Sequence, residues 1–180
     1  MKRSIKVIAV LALAAGSVVA FGQTTTDSLV PSGVTIRIGG GFGVDESLNS
    51  YASGYYGAGL DFGFGRGLLP GAETYYSVDM LWGARESFNQ SVIPLLIDQR
   101  FYTDKGGGDN SFGQTRLYFN LGLGATYYNI GGSDIKPSGK LGVGLEFTQT
   151  IIGEADLYLA QRSKDDVTAN LLGFYVGYKF

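Results

Sequence analysis

The sequence predicts an all-β fold, an eight-stranded antiparallel up-and-down transmembrane β-barrel, from three observations. Leu172, Phe174, Val176, Tyr178 and Phe180 alternate with Gly173, Tyr175, Gly177 and Lys179, which is the two-residue period of a strand with one oily face. Seven further segments repeat that alternation, separated by turn residues. In all eight the charged residues keep to a single parity.

The elements follow in chain order. Lys2, Arg3 and Lys6 precede the apolar run Val7 to Ala15, and Ala20-Phe21-Gly22 forms a small-x-small site. This is the pattern of a secretory signal peptide over 1–22. Residues 23–33 are then a short periplasmic lead-in, and 34–180 the outer-membrane barrel domain. Strands are expected near Val34–Val44, Tyr55–Phe64, Thr74–Ala84, Val92–Tyr102, Arg116–Tyr128, Lys140–Gln149, Glu154–Gln161 and Asn170–Phe180. Each is close to the roughly 9–11 residues that a tilted strand needs to cross a bilayer. No run of about 18 apolar residues offers a helical span instead. The connectors carry turn chemistry: Gly65-Arg66-Gly67, Gly71, Asp104 to Asn110, Gly131-Gly132-Ser133-Asp134, Pro137-Ser138-Gly139 and Gly153.

Charge placement decides which face meets what. The parity holding Ile36, Ile38, Phe62, Met80, Ile97, Leu121, Leu123, Val143, Leu157 and Val176 has no charged residue in any strand. The other parity carries Arg37, Asp61, Asp79, Asp98, Arg100, Arg116, Lys140, Glu146, Asp156 and Lys179. A charge facing lipid at mid-depth costs about 2–4 kcal/mol, and that cost predicts such avoidance. A soluble barrel with its oily face inward would have to present the glycine-rich parity to water, whereas glycines suit the crowded inside of a narrow barrel.

An eight-stranded barrel has room inside for its own side chains or one small ligand. The inward charges are therefore expected to form a lumen polar network of Arg37, Asp61, Asp79, Asp98, Arg100, Arg116, Glu146, Asp156 and Lys179, joined by Lys140. With both chain ends in the periplasm, most of these lie in the periplasmic half. The outer half, lined by Gly41, Gly43, Gly57, Gly59, Gly124, Gly142 and Gly173, is expected to be more open. External loops are expected at about Asp45–Gly54, Arg85–Ser91, Asn129–Gly139 and Arg162–Ala169, offering Asp45, Glu46, Ser47, Asn49, Ser50 and Tyr51, or Arg162, Lys164, Asp165 and Asp166, as modest surfaces.

Composition excludes several functions. Losing the leader removes three of the 14 basic residues, leaving 11 against 16 acidic and a net charge of −5. That argues against nucleic acid as a partner. With neither His nor Cys, the chain has no imidazole base and no thiol nucleophile, and enzymatic activity is not expected. No cofactor is expected, and metal sites lack their usual nitrogen and sulfur ligands. Asp104, Asp109 and Asn110, or Asp165 with Asp166, read as solvated turns. Gly39-Gly40-Gly41-Phe42-Gly43 lies inside a strand with no helix after it, so it is no phosphate loop.

The stretch Val92-Ile93-Pro94-Leu95-Leu96-Ile97 running to Arg100-Phe101-Tyr102, followed by Leu117-Tyr118-Phe119-Asn120-Leu121-Gly122-Leu123-Gly124-Ala125, resembles the OmpA-like small outer-membrane β-barrel family. The resemblance spans nearly all of the mature chain through degenerate motifs. It implies a bacterial outer-membrane location and partners limited to outer-membrane lipid and, during biogenesis, periplasmic chaperones and the barrel-assembly machinery. It further implies that Phe174, Val176, Tyr178 and Phe180 form the barrel-assembly signal. The expected role is structural: envelope integrity or surface interaction, with a mostly plugged lumen and a monomeric state. A narrow channel or a carrier for a small or hydrophobic solute is the alternative.

Overall fold

The computed structural model describes residues 33–65, 67–83, 90–103, 115–130, 132–164 and 166–180. The signal peptide and nearly all of the lead-in lie outside them, as do residues 104–114 of the longest connector. Eight strands close on themselves in sequence order: β1 Gly33–Gly43, β2 Tyr55–Gly63, β3 Ala72–Gly83, β4 Ser91–Tyr102, β5 Arg116–Ile130, β6 Gly132–Glu146, β7 Ile151–Ala160 and β8 Leu171–Lys179. Every neighbouring pair is antiparallel, and β1 closes against β8 with Ile38 opposite Val176. Closure removes the sheet edges that would otherwise template aggregation. The expected fold class is the observed one.

Burial is inverted relative to a water-soluble domain. The apolar parity points out, and it leaves Ile38 67% and Leu123 68% exposed. No outward strand position among the described residues carries a charge. The opposite parity buries Arg37, Asp61, Asp79, Asp98, Arg100, Lys140 and Asp156 almost completely.

The boundaries differ from expectation at both ends of β6 and at the start of β7. β6 begins at Gly132, eight residues before Lys140, so residues 129–130 and 132–139 of the expected loop are strand, the end of a long hairpin in which Pro137 pairs with Ala125. A residue's N–H and C=O point to the same side of a strand. The Pro137 carbonyl accepts Gln161 N–H at 3.1 Å, so its missing donor faces the side where β7 has already ended at Ala160. Proline is tolerated there. β7 begins at Ile151 rather than Glu154, so Gly153 belongs to the strand. The turn before it is Phe147 to Thr150, where the Thr148 hydroxyl oxygen accepts Ile151 N–H at 2.9 Å. Pro94 lies in β4, and the β3–β4 ladder skips its level, between the Val78–Leu95 and Leu81–Val92 pairs.

One helical turn, α1 Glu46–Asn49, sits in the β1–β2 loop. It turns Leu48 inward, where Leu48 and Ala52 are fully buried.

Candidate functional site

The barrel interior is layered along its axis. In the half that holds the start of β1 and the end of β8, Arg37 on β1 is the central cation. Its Nη2 lies 2.7 Å from Asp79 Oδ1 and 2.9 Å from Asp61 Oδ1, and its Nη1 lies 3.1 Å from Asp156 Oδ2 and also meets Glu154. Arg100 on β4 takes the second oxygens of two of these carboxylates, Asp61 Oδ2 at 2.6 Å and Glu154 Oε1 at 2.9 Å. Lys140 on β6 pairs with Asp98 and approaches Asp156 at 3.9 Å.

Five buried carboxylates thus meet three buried cations. Hydroxyl donors add to these pairs: Tyr118 donates to Glu154 at 2.6 Å, Tyr158 to Asp79 at 2.9 Å, and the Ser77 hydroxyl touches both Asp61 and Asp98. Guanidinium faces are covered as well, Arg100 by the Tyr75 ring at 4.0 Å and Arg37 by Tyr175 at 5.1 Å. Buried charges are tolerable when paired and hydrogen-bonded in this way.

Glycines on adjacent strands make the room. Asp79 sits opposite Gly59, Asp98 opposite Gly122 and Asp156 opposite Gly142. In each pair a β-carbon on the glycine would overlap the carboxylate. Tyr118 lies over Gly144 in the same manner.

Arg116, Glu146 and Lys179 stand apart from this cluster. They form a rim group in which Glu146 accepts Tyr102 O–H at 2.9 Å and pairs with Arg116 at 3.4 Å and Lys179 at 3.6 Å. Their cationic side chains keep 24% and 31% of their surface. Glu154, by contrast, is a hub that the sequence reading left out. Treating Gly153 as a turn put Glu154 at a strand start, although its shared parity with Asp156 and Tyr158 was a usable signal.

The other half of the interior is apolar. Tyr55, Leu81, Val92, Leu96, Tyr128, Ile130 and Leu171 pack with Leu48 and Ala52 of the β1–β2 loop and Val167 and Ala169 of the β7–β8 loop. This overturns the expectation of open volume there: Tyr175 leans on Gly57 and Gly173 and Leu48 on Gly43, while Gly59 and Gly142 face Asp79 and Asp156 in the ionic layer. Nor is the β1–β2 loop a purely solvated surface, because Tyr51 also packs against the apolar cluster. The two loops are joined: Val44 N–H donates to Asn170 O at 2.8 Å and Thr168 N–H to Ser47 Oγ at 3.3 Å. Asp104, Asp109, Asn110 and Asp165 fall outside the described residues. Among the described residues no group of acidic side chains is placed to hold a metal ion.

Phe174, Val176, Tyr178 and Phe180 all project from the outer surface of β8 and its end. The Phe180 N–H donates to Val34 O at 2.9 Å across the β1–β8 closure.

No protein-family model matches the chain, and no curated protein matches it. Among solved structures it is similar to the N-terminal β-barrel domain of Pseudomonas aeruginosa OprF, at 19% identity and a TM-score of 0.49, over 83% of this chain and 98% of that one. It is also similar to Neisserial surface protein A (NspA), at 11% identity and a TM-score of 0.45, over 82% of this chain and 92% of that one.

Proposed function

We propose that this protein is a bacterial outer-membrane barrel whose role is structural, contributing to envelope integrity with modest surface contacts, and whose lumen is plugged. The observation that carries the reading is the outward apolar belt around an ion-paired interior. A surface with Ile38, Leu123, Phe119, Phe174 and Val176 exposed far exceeds the apolar patch that a soluble monomer tolerates. It matches the lipid-facing band of a membrane barrel. Aromatic residues near the strand ends, Tyr76, Phe101 and Tyr178 at one end and Tyr56, Trp82 and Tyr127 at the other, supply interfacial girdles.

The plugged lumen is supported by two seals in series, the ionic layer around Arg37 and the apolar layer around Leu48, Leu81 and Leu171. This stacking weighs against the narrow channel or carrier. A structural role asks for no catalytic group, and with His and Cys both at 0 we propose none. The partners in this reading are outer-membrane lipid and, during biogenesis, chaperones and the assembly machinery, with the Phe174, Val176, Tyr178 and Phe180 stripe as the surface read. The barrel acts as a monomer.

The test is site-directed spin labelling at Leu121 and Val143 in reconstituted vesicles. Labels in contact with acyl chains support the reading. Labels reporting water, or a mature chain that stays compact in solution without detergent, refute it.

A further inference from the structure

In the turn joining β2 to β3, residues 64–65 and 67–71 fold back onto the outside of the barrel. Gly65 and Gly71, with φ of 72° and 79°, supply the left-handed backbone that lets it double back. Thr74 and Gln99 have the outward parity of β3 and β4, yet they are only 5% and 6% exposed. What covers them is the turn: Leu68 N–H donates to Thr74 Oγ1 at 3.0 Å and to Gln99 Oε1 at 2.9 Å, and Leu69 N–H reaches the same Gln99 oxygen at 3.3 Å. Gln99 Nε2 in turn donates to Thr74 Oγ1 at 2.9 Å. The far side of the turn presents Leu68, 69% exposed, and Leu69.

We propose that this turn is an interfacial anchor whose partner is lipid: Leu68 and Leu69 lie at the boundary between headgroups and acyl chains in the leaflet nearer the start of β1 and the end of β8. The inference rests on the membrane reading above and adds a site to it. Irregular backbone near hydrocarbon must have its polar groups satisfied by the protein, and the Gln99 amide and Thr74 hydroxyl do that for two turn N–H groups. The leucines continue a wall that is already apolar and aromatic, where Phe64 and Tyr76 stack edge to face at 4.8 Å. A turn directed into water would gain nothing from holding two leucines outward and locking its donors to the barrel side.

The chain has no Cys, so single nitroxide labels can be placed without background. In the full mature protein reconstituted into phosphatidylcholine vesicles, labels at L68C, at L121C in the belt and at K164C in a loop are compared for collision with oxygen and with a water-soluble nickel chelate. The L68C label is expected to favour oxygen and to collide with nickel several-fold less than the K164C label, at shallower depth than L121C. Adding Gln99→Leu is expected to free the turn and restore nickel collision at position 68. Nickel collision at L68C equal to that at K164C overturns the anchor. Protection from both reagents also overturns it and indicates a protein occupant. A release variant that changes nothing removes the role of Gln99. Water exposure at L121C as well refutes the membrane reading itself, a result distinct from failure at position 68 alone.

Discussion

Asp98 and Gly122 face each other across the β4–β5 ladder, and the Asp98 carboxylate occupies the space that a β-carbon on Gly122 would fill. Eight strands enclose too little volume for two rows of side chains to meet at every level. Several of the carboxylates therefore fill the space of a neighbour's missing side chain, as Asp79 does at Gly59 and Asp156 at Gly142.

Gly122→Ala is accordingly expected to force Asp98 off Lys140 and to destabilise the barrel by about 1–3 kcal/mol, the usual cost of overpacking. Gly54→Ala is the control. Its added carbon meets nothing nearer than Gly41 O at 3.8 Å, and surface changes of that kind fall within about 0.5 kcal/mol. Urea midpoints in vesicles measure both, and equal midpoints would contradict the packing argument.

Glu154 binds Arg37, Arg100 and Tyr118 at once. Glu154→Gln keeps the volume but removes the one carboxylate that touches Arg37, Arg100 and Tyr118 together, while Arg37 keeps Asp61, Asp79 and Asp156 and Arg100 keeps Asp61, so a loss of about 1–3 kcal/mol is expected. Lys179→Ala at the rim, where the ammonium is 3.6 Å from Glu146 and partly solvated, is expected to cost less than about 1 kcal/mol. The ranking is checked by the same urea titrations, and a rim variant as damaging as Glu154→Gln would contradict the layered description.

The face of each strand was legible in the sequence because a charge on the belt is expensive and period two is rigid: one residue of slip would move Asp79 from the core to the surface. What escaped were places where a local turn signal was overruled by long-range pairing. Pro137-Ser138-Gly139 reads as a turn, but β5 supplies a partner for every one of those positions, and the proline's bare side meets no strand. Gly153 hid Glu154 for a similar reason. The inward loops were illegible for another cause: Leu48, Ala52, Val167 and Ala169 are isolated apolar residues in polar segments, and their burial depends on residues as distant in sequence as Leu171 is from Leu48.

The proposed plugging of the lumen by an ionic and an apolar layer is tested by conduction. In a planar bilayer the wild-type barrel is expected to show no conductance steps. Lys140→Met, which weakens only the ionic layer, is expected to remain silent, because Leu81, Leu96 and Leu171 still close the apolar layer above it. Variants are compared as folded species, judged by heat-modifiable gel mobility. Steps from the single variant would show that the apolar layer does not seal.

The Tyr128 hydroxyl fastens the β7–β8 loop to the wall. It donates to Gln161 O at 2.9 Å and accepts Ala169 N–H at 3.3 Å, at the two ends of the segment that carries Val167 inward. Tyr128→Phe keeps the ring and its packing while leaving the Gln161 carbonyl and the buried Ala169 amide without that partner. A typical hydrogen bond contributes about 0.5–1.5 kcal/mol, and orphaning a buried group costs more. Because the loop is also held by Val44 N–H to Asn170 O at 2.8 Å, the barrel is expected to stay folded while the loop opens locally. Amide hydrogen exchange at Ala169 should therefore accelerate in Tyr128→Phe while exchange at Leu121 and Val143 stays at the wild-type rate. Unchanged exchange at Ala169 would mean that Val167, by its burial alone, keeps the loop in the mouth of the barrel.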